Sequence, residues 1–359
     1  MGSKDSLSAL VSNALTLAQI GEHASASSLA SQARLEWRTE DSLSVTFDLM
    51  MVDGICSNYT GDLSQAFDRL NRASVLASML GDDHRIHLSK AWLATVSFNL
   101  GRLTEAECFL SVAARHIRDA GPNALFRSAT GISVLLQICG DDLAARQWIK
   151  YAQRAASAFG HPGLMSHLLY NISAARVSVR SLSRFFGESL NANAKLDSLA
   201  VYSSINFDSM SGTCVQPAFH PLIQAQALGI EGDYSSALAK LEIFLAACQS
   251  VPSEFVIQAR FELLYAKYRL GMSISVDELR ALEAAVSSLN SDDDLASAYY
   301  ILHLCFKECL IGKRSEECFV LASEHKSLHA DRCASIMIGL TRSGLNGVPE
   351  DWWNLVQAS

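Results

Sequence analysis

Glycine recurs along this chain at an interval that fixes the length of whatever lies between. Gly61, Gly81, Gly101, Gly121, Gly140 and Gly160 are separated by 20, 20, 20, 19 and 20 residues. Glycine takes up the left-handed backbone conformation that ends a helix at little cost, so a regular series of glycines reads as a series of stops. A stop every 20 residues leaves helices of about 15–17 residues, each roughly 25 Å long at 1.5 Å per residue. A row of equal helices is the signature of a repeat array.

Every second glycine opens a fixed pattern. Gly21, Gly61, Gly101 and Gly140 are each followed five residues later by alanine: Ala26, Ala66, Ala106 and Ala145. At nine residues come Ala30, Leu70, Leu110 and Ile149, and at twelve Ala33, Ala73, Ala113 and Ala152. Seven residues before each glycine stands a small residue, Ala14, Gly54, Ala94 or Ser133. Small side chains at matched heights let two antiparallel helices approach closely, while the larger ones fill the seam. The pattern returns more weakly at Gly232, with Ala225 before it and Tyr234, Ala237 and Leu241 after it. Gly271 and Gly312 keep the spacing, at 39 and 41 residues, without the alanines. The 92 residues from Gly140 to Gly232 leave room for one long, irregular repeat around Gly187.

All six prolines fall in connections or first turns of these helices, where proline is tolerated. Ser291 followed by Asp292, Asp293 and Asp294 reads as an N-cap with an acidic first turn. No alternating strand pattern is present. The expected fold is all-α, an α-solenoid of about eight helix-turn-helix units of about 40 residues, ending in a capping helix. Its expected segments are four regular hairpins over 1–160, an irregular repeat over 161–220 with an inserted loop at 201–220, and further hairpins with the cap over 221–359.

Glycine, then alanine at five, a large apolar residue at nine and alanine at twelve resembles the tetratricopeptide repeat. The match is best over residues 3–160, recoverable at 222–245 and faint elsewhere. The longer unit is similar to the helical-repeat domain of bacterial regulators of the MalT type, whereas the tryptophan and proline of the usual 34-residue repeat are missing. The resemblance implies a right-handed superhelix whose first helices line a concave groove. Those helices would be about 3–20, 42–59, 84–100, 123–139, 164–181, 218–231, 253–270 and 293–311.

Positions two, three and six residues before the turn glycines would face that groove. The residues singled out as binding candidates are Asn58, Tyr59, Phe98, Asn99 and Gln137. This is an apolar to neutral lining with amide groups, and it lacks the lysine and asparagine set with which chaperone-binding relatives clamp a terminal carboxylate. The expected guest is an apolar or amphipathic protein segment. The 201–220 stretch carries Tyr202, Phe207 and Phe219, which would plug the groove or dock a partner. Trp352 and Trp353 form either a cap or a docking tip.

The formal net charge of −8 argues against direct binding of nucleic acid or anionic membrane surfaces, both of which need a basic face. No apolar run reaches the length of a membrane span, and residues 1–5 show no basic start of a signal peptide. Nine scattered cysteines fit a reducing compartment, so a cytoplasmic location is expected.

His325, His329 and Cys333 follow one another at four-residue steps, so on one helix they could touch one metal ion. His84 and His87 are a weaker pair of the same kind. A helix-bound cysteine or histidine is more often a satisfied core residue. There is no phosphate-cradling glycine loop, no zinc-protease helix and no nucleophile elbow, so no cofactor and no enzymatic activity are expected. Two alternatives stand beside the adaptor reading. One is an effector-sensing domain of a MalT-like regulator, whose ATPase and DNA-binding parts would lie on a longer parent chain or a partner, and which leaves self-association open. The other, weaker, is a helical-repeat enzyme with a site at residues 201–220 and His220.

Overall fold

The computed structural model describes residues 2–36, 43–117, 120–186, 194–213, 216–248 and 251–356. Among these residues there are helices and no strand. The first four hairpins pair α1 (Gly2–Gln19) with α2 (His23–Glu36), α3 (Leu43–Tyr59) with α4 (Leu63–Leu80), α5 (Asp83–Asn99) with α6 (Leu103–Arg115), and α7 (Pro122–Ile138) with α8 (Asp142–Phe159). Then follow α9 (Pro162–Phe185), α10 (Ala194–Ser211), α11 (His220–Glu231), α12 (Tyr234–Ala247), α13 (Ser253–Arg269) and α14 (Val276–Ala285). The chain closes with α15 (Asp292–Glu308), the long α16 (Gly312–Arg342) and the short α17 (Trp352–Leu355). Packing is sequential, α1 on α2, α2 on α3, α3 on α4 and onward, with first helices α1, α3 and α5 also in contact.

The turn chemistry explains the regular stops. Gly21, Gly61, Gly81, Gly101, Gly140, Gly160, Gly232 and Gly271 all have positive φ. At Gly81 the turn is closed by the Gly81 and Asp82 amides donating to the Ser78 and Ala77 carbonyls. The very next residue opens the following helix: the Asp82 carboxylate accepts from the Arg85 amide at 3.0 Å, and Asp62 and Asp233 cap α4 and α12 in the same way. A left-handed glycine followed by a capping aspartate turns the chain within two residues.

Two stops work differently. Gly121 is not left-handed; its amide instead donates to His84 Nδ1 at 3.2 Å. Before Gly312 the left-handed residue is Leu310, at φ 59°.

Residues 201–211, expected as a loop, are helical. They are the last part of α10, and the left-handed Gly212 ends it as the other glycines end theirs. The helix escapes an apolar-periodicity reading because its buried stripe is Ser198, Val201, Ser204 and Asp208, three of the four polar. A short helical turn at Pro217–Phe219 leads into α11, and residues 214–215 lie outside the described residues, as does Gly187.

The chain forms two compact units. The first comprises Met1–Leu136, Asp142–Leu168 and Ile336–Ser359; the second comprises Gln137–Asp141 and Leu169–Ser335. In the first, the small residues meet as the repeat pattern requires. Ala14, Ala26, Ala30, Ala33, Ala66, Leu70, Ala73 and Ala106 are all buried, and a Cβ placed on Gly54 would lie 2.6 Å from Leu70 Cγ. In the fourth hairpin the large apolar position nine residues after the glycine departs from the pattern: Ile149 is only half-buried, while Trp148 beside it is fully buried. His87 is held between the Ala124 carbonyl, at 3.2 Å, and the Ser128 hydroxyl, at 2.9 Å. Burial lowers its pKa to about 4, which keeps it neutral.

The C-terminal segment belongs to the first unit. Trp148 Nε1 donates to the Leu345 carbonyl at 3.0 Å, and the Tyr151 hydroxyl donates to the Trp352 carbonyl at 3.2 Å. Trp352, on α17, is buried edge-on against Trp148 of α8, so it is a packing residue and not the docking tip considered for it. Trp353 is half-buried, with Arg154 over its ring at 4.5 Å.

Among the described residues of the second unit, one apolar core joins Phe185, Phe261, Leu264, Leu279, Leu302 and Phe306. Another gathers Leu222, Leu241 and Phe244 with Phe219 against it, and Phe219 meets Phe255 edge-on at 5.0 Å. Phe219 is therefore committed to packing. Tyr202 and Phe207 are half-buried on α10. Among the described residues no helix is long and apolar enough to cross a membrane.

Candidate functional site

The residues expected to line a groove meet three different fates. Tyr59 is occupied: its ring stacks on His23 at 5.6 Å and meets Trp92 and His167 edge-on at 6.3 and 6.4 Å. Between these rings lies Arg127, 2 % exposed, with its guanidinium 4.1 Å from the Trp92 ring centre. Arg127 donates to the Gln19 carbonyl at 2.7 Å and to the Tyr59 hydroxyl at 3.4 Å. Its Nε and Nη1 make no hydrogen bond, and burial depresses its pKa with only Tyr59 acting to restore it. Apart from His23 at the start of α2, this cluster joins α1, α3, α5, α7 and α9, the first helices of their hairpins, so part of the face expected to receive a guest is filled by the protein's own side chains. Sequence reasoning missed Arg127, because an arginine in an apolar helix gives no periodic signal.

Asn58, Phe98 and Asn99 remain half-buried. Asn99 Nδ2 donates to Asn58 Oδ1 at 2.8 Å, linking positions 41 residues apart on α3 and α5. That bond uses one donor and one acceptor of the two amides, and leaves the Asn58 amino group and the Asn99 oxygen with capacity for another partner. Gln137 departs from this group, being 4 % exposed and buried. It is not a surface residue for a guest.

The second unit carries a polar centre built by α9, α11, α13 and α15. Arg184 and Glu262 form a buried ion pair at 2.9 Å, with the guanidinium over the rings of Phe185 and Tyr265. Adjoining it is a cavity of about 30 Å³ lined by Ser178, Ser181, Gln226, Gln258, Asp293 and Asp294, among others. Ser181 is 6 % exposed and its hydroxyl has no partner. Gln258 Nε2 donates to Asp294 Oδ1 at 2.9 Å, and the Ser291 hydroxyl donates to Asp294 Oδ2 at 2.7 Å. Burial, with the neighbouring Asp293 charge adding to it, raises the Asp294 carboxyl to about 7. Ser291 thus caps α15, and of the acidic first turn that follows, Asp293 and Asp294 also supply the polar wall of this cavity. Only the capping role was legible from the Ser-Asp-Asp-Asp string.

His325, His329 and Cys333 do share one face of α16, but they do not converge on one point. His325 stacks on Tyr299 and lies 3.2 Å from Asp292 Oδ1. His329 has its Nδ1 3.9 Å from Asp293 and its Nε2 3.5 Å from Cys333 Sγ. Among the described residues no group of three His, Cys, Asp or Glu side chains is arranged to hold a metal ion. His220, the centre of the weakest expectation, pairs with the buried Asp208 at 3.1 Å and stacks on Tyr170, joining α10 to α11.

No protein-family model matches this chain, and no curated protein is similar enough to match it.

Proposed function

We propose that the chain is a protein-interaction module of tetratricopeptide-like hairpins, stacked as a right-handed superhelix, which binds a partner segment along its first helices. The single observation that carries this reading is the Asn58–Asn99 pair. Two half-buried amides stand in register one hairpin apart, hydrogen-bonded to each other, with unused donor and acceptor capacity beside the half-buried Phe98. An extended or amphipathic segment needs such a combination, in which backbone groups find amide partners and a side chain finds an aromatic face. The filled region around Arg127 narrows the binding surface from the whole inner face to the strip at Asn58, Phe98 and Asn99.

The test is a quantitative affinity capture from native cells with the wild-type chain and an Asn58→Ala/Asn99→Ala double variant matched for melting temperature. At least one protein retained by the wild type should fall about tenfold with the double variant, the effect of losing roughly 1.4 kcal/mol of binding. Identical sets of retained proteins would refute the reading.

A second reading, sensing of a small polar effector, is favoured by the cavity beside Ser181 and Asp294. Its volume of about 30 Å³ accommodates about two waters or a group of that size, and its acidic, amide-rich wall suits a small cation or amine. A rise in melting temperature with small ammonium compounds, abolished by Ser181→Ala, would favour it over protein binding.

A further inference from the structure

We propose that Cys333 is an oxidation site, attacked by hydroperoxides and resolved by Cys139 into a disulfide inside the second unit. Neither thiol enters the binding reading above, and the inference stands independently of it. Cys139 lies in the turn after α7, and Cys333 lies on α16 one helical turn beyond His329. The two thiols are hydrogen-bonded to each other. Cys333 Sγ also lies 3.8 Å from the carbonyl of Ile138, the residue before Cys139. On its other side is His329 Nε2 at 3.5 Å, whose Nδ1 faces Asp293 at 3.9 Å. A sulfur, an imidazole and a carboxylate in this order are the parts of an activated nucleophile. Both cysteines are partly exposed, so a small oxidant can reach them.

The electrostatics assign different roles to the two thiols. The hydrogen bond from Cys139 holds the Cys333 thiol down to about 5; burial opposes this, and the hydrogen bond and charge of His329 reinforce it. The same hydrogen bond, together with burial, pushes Cys139 up. For His329, burial alone would lower the pKa, but the bond to Cys333 and the charges of Asp293 and Asp292 outweigh it and raise it. Arg332, which pairs with Asp292 at 2.6 Å, and His325 are the other charged or titratable groups on this face of α16. One sulfur is therefore a thiolate and its neighbour keeps its proton. Elsewhere burial pushes Cys305 to about 12 and Cys318 to about 11, so these thiols stay inert near neutral pH.

The chemistry balances in two steps. The Cys333 thiolate attacks the nearer peroxide oxygen, the O–O bond breaks, and the departing oxyanion takes a proton from the His329 imidazolium, giving a sulfenic acid and water or an alcohol. Cys139 then passes its proton to His329 and attacks Cys333 sulfur. The S–S bond forms, the S–O bond breaks, and the hydroxide leaves as water with the proton returned from the imidazole. Two thiols are oxidised and one peroxide is reduced.

The test treats the full chain with one equivalent of hydrogen peroxide and maps cysteines by non-reducing digestion and mass spectrometry. A Cys139–Cys333 disulfide should form first. Cys139→Ser should trap a sulfenic acid on Cys333, and His329→Gln should slow its formation. A second measurement needs no variant: alkylation at pH 6 should modify Cys333 about tenfold faster than the exposed Cys108, whose thiol is raised by burial and by Glu107. That ratio combines a thiolate fraction about a thousandfold larger with the lower intrinsic nucleophilicity of a low-pKa sulfur. The proposal is overturned if peroxide oxidises Cys108 before Cys333, if no 139–333 disulfide appears, or if Cys333 alkylates no faster than Cys108.

Discussion

Arg127 donates a hydrogen bond of 2.7 Å to the backbone carbonyl of Gln19, joining the fourth hairpin to the end of the first helix across 108 residues of chain. A guanidinium buried with no carboxylate to offset it is costly unless aromatic faces and carbonyl oxygens replace its hydration. Here Trp92, Phe126 and Gln19 supply that replacement, and two of its three nitrogens still make no hydrogen bond.

This incomplete compensation separates two substitutions at one position. Arg127→Ala leaves a cavity among Trp92, Phe126 and Tyr59 and should cost about 2–5 kcal/mol. Arg127→Met fills much of the volume without the buried charge, and should stay within about 1 kcal/mol of wild type or exceed it. Denaturant midpoints decide the matter. Equal losses for both would mean that the charge itself holds the helices together.

Gly54 is a mid-helix glycine, which ordinarily destabilises a helix relative to alanine by about 1 kcal/mol. A Cβ there would meet Leu70 Cγ at 2.6 Å and the Ala66 carbonyl at 3.3 Å. Overpacking should win, so Gly54→Ala should destabilise by about 1–3 kcal/mol in equilibrium unfolding. A stabilised variant would contradict the close approach of α3 and α4.

Asp294 has a folded pKa of about 7, against an unfolded value near 3.9. The folded state therefore holds more protons between these values, and the contribution of this group to stability falls as pH rises from about 4 to about 7. Asp294→Asn removes that penalty while keeping an acceptor for Gln258 and an amide for the Ser291 hydroxyl. The variant should melt higher than wild type at pH 8, with the difference shrinking to nothing near pH 4. A lower melting temperature at pH 8 would show that the ionised carboxylate is preferred in the fold.

How much of this was readable in the sequence follows from what each residue contributes. The turns at Gly61, Gly81, Gly101, Gly140 and Gly160 were legible because a left-handed residue has one cheap solution. The alanine pattern was legible because close helices admit only small side chains. Residues 201–211 were not, because Ser198, Ser204 and Asp208 give α10 a polar buried stripe. The clusters at Arg127 and at Asp294 were hidden for a different reason: they arise from residues on several helices, each unremarkable in its own segment. His325, His329 and Cys333 were rightly placed on one face, but the spacing along one helix says nothing about Asp292, Asp293 and Cys139 opposite them.

The most direct test of the binding account is hydrogen–deuterium exchange on the full chain, alone and with a protein partner retained in the capture experiment. Peptides covering residues 52–60 and 93–101 should exchange more slowly in the complex, and the Asn58→Ala/Asn99→Ala variant should lose that protection. Protection confined to other helices, with these two segments unchanged, would contradict it.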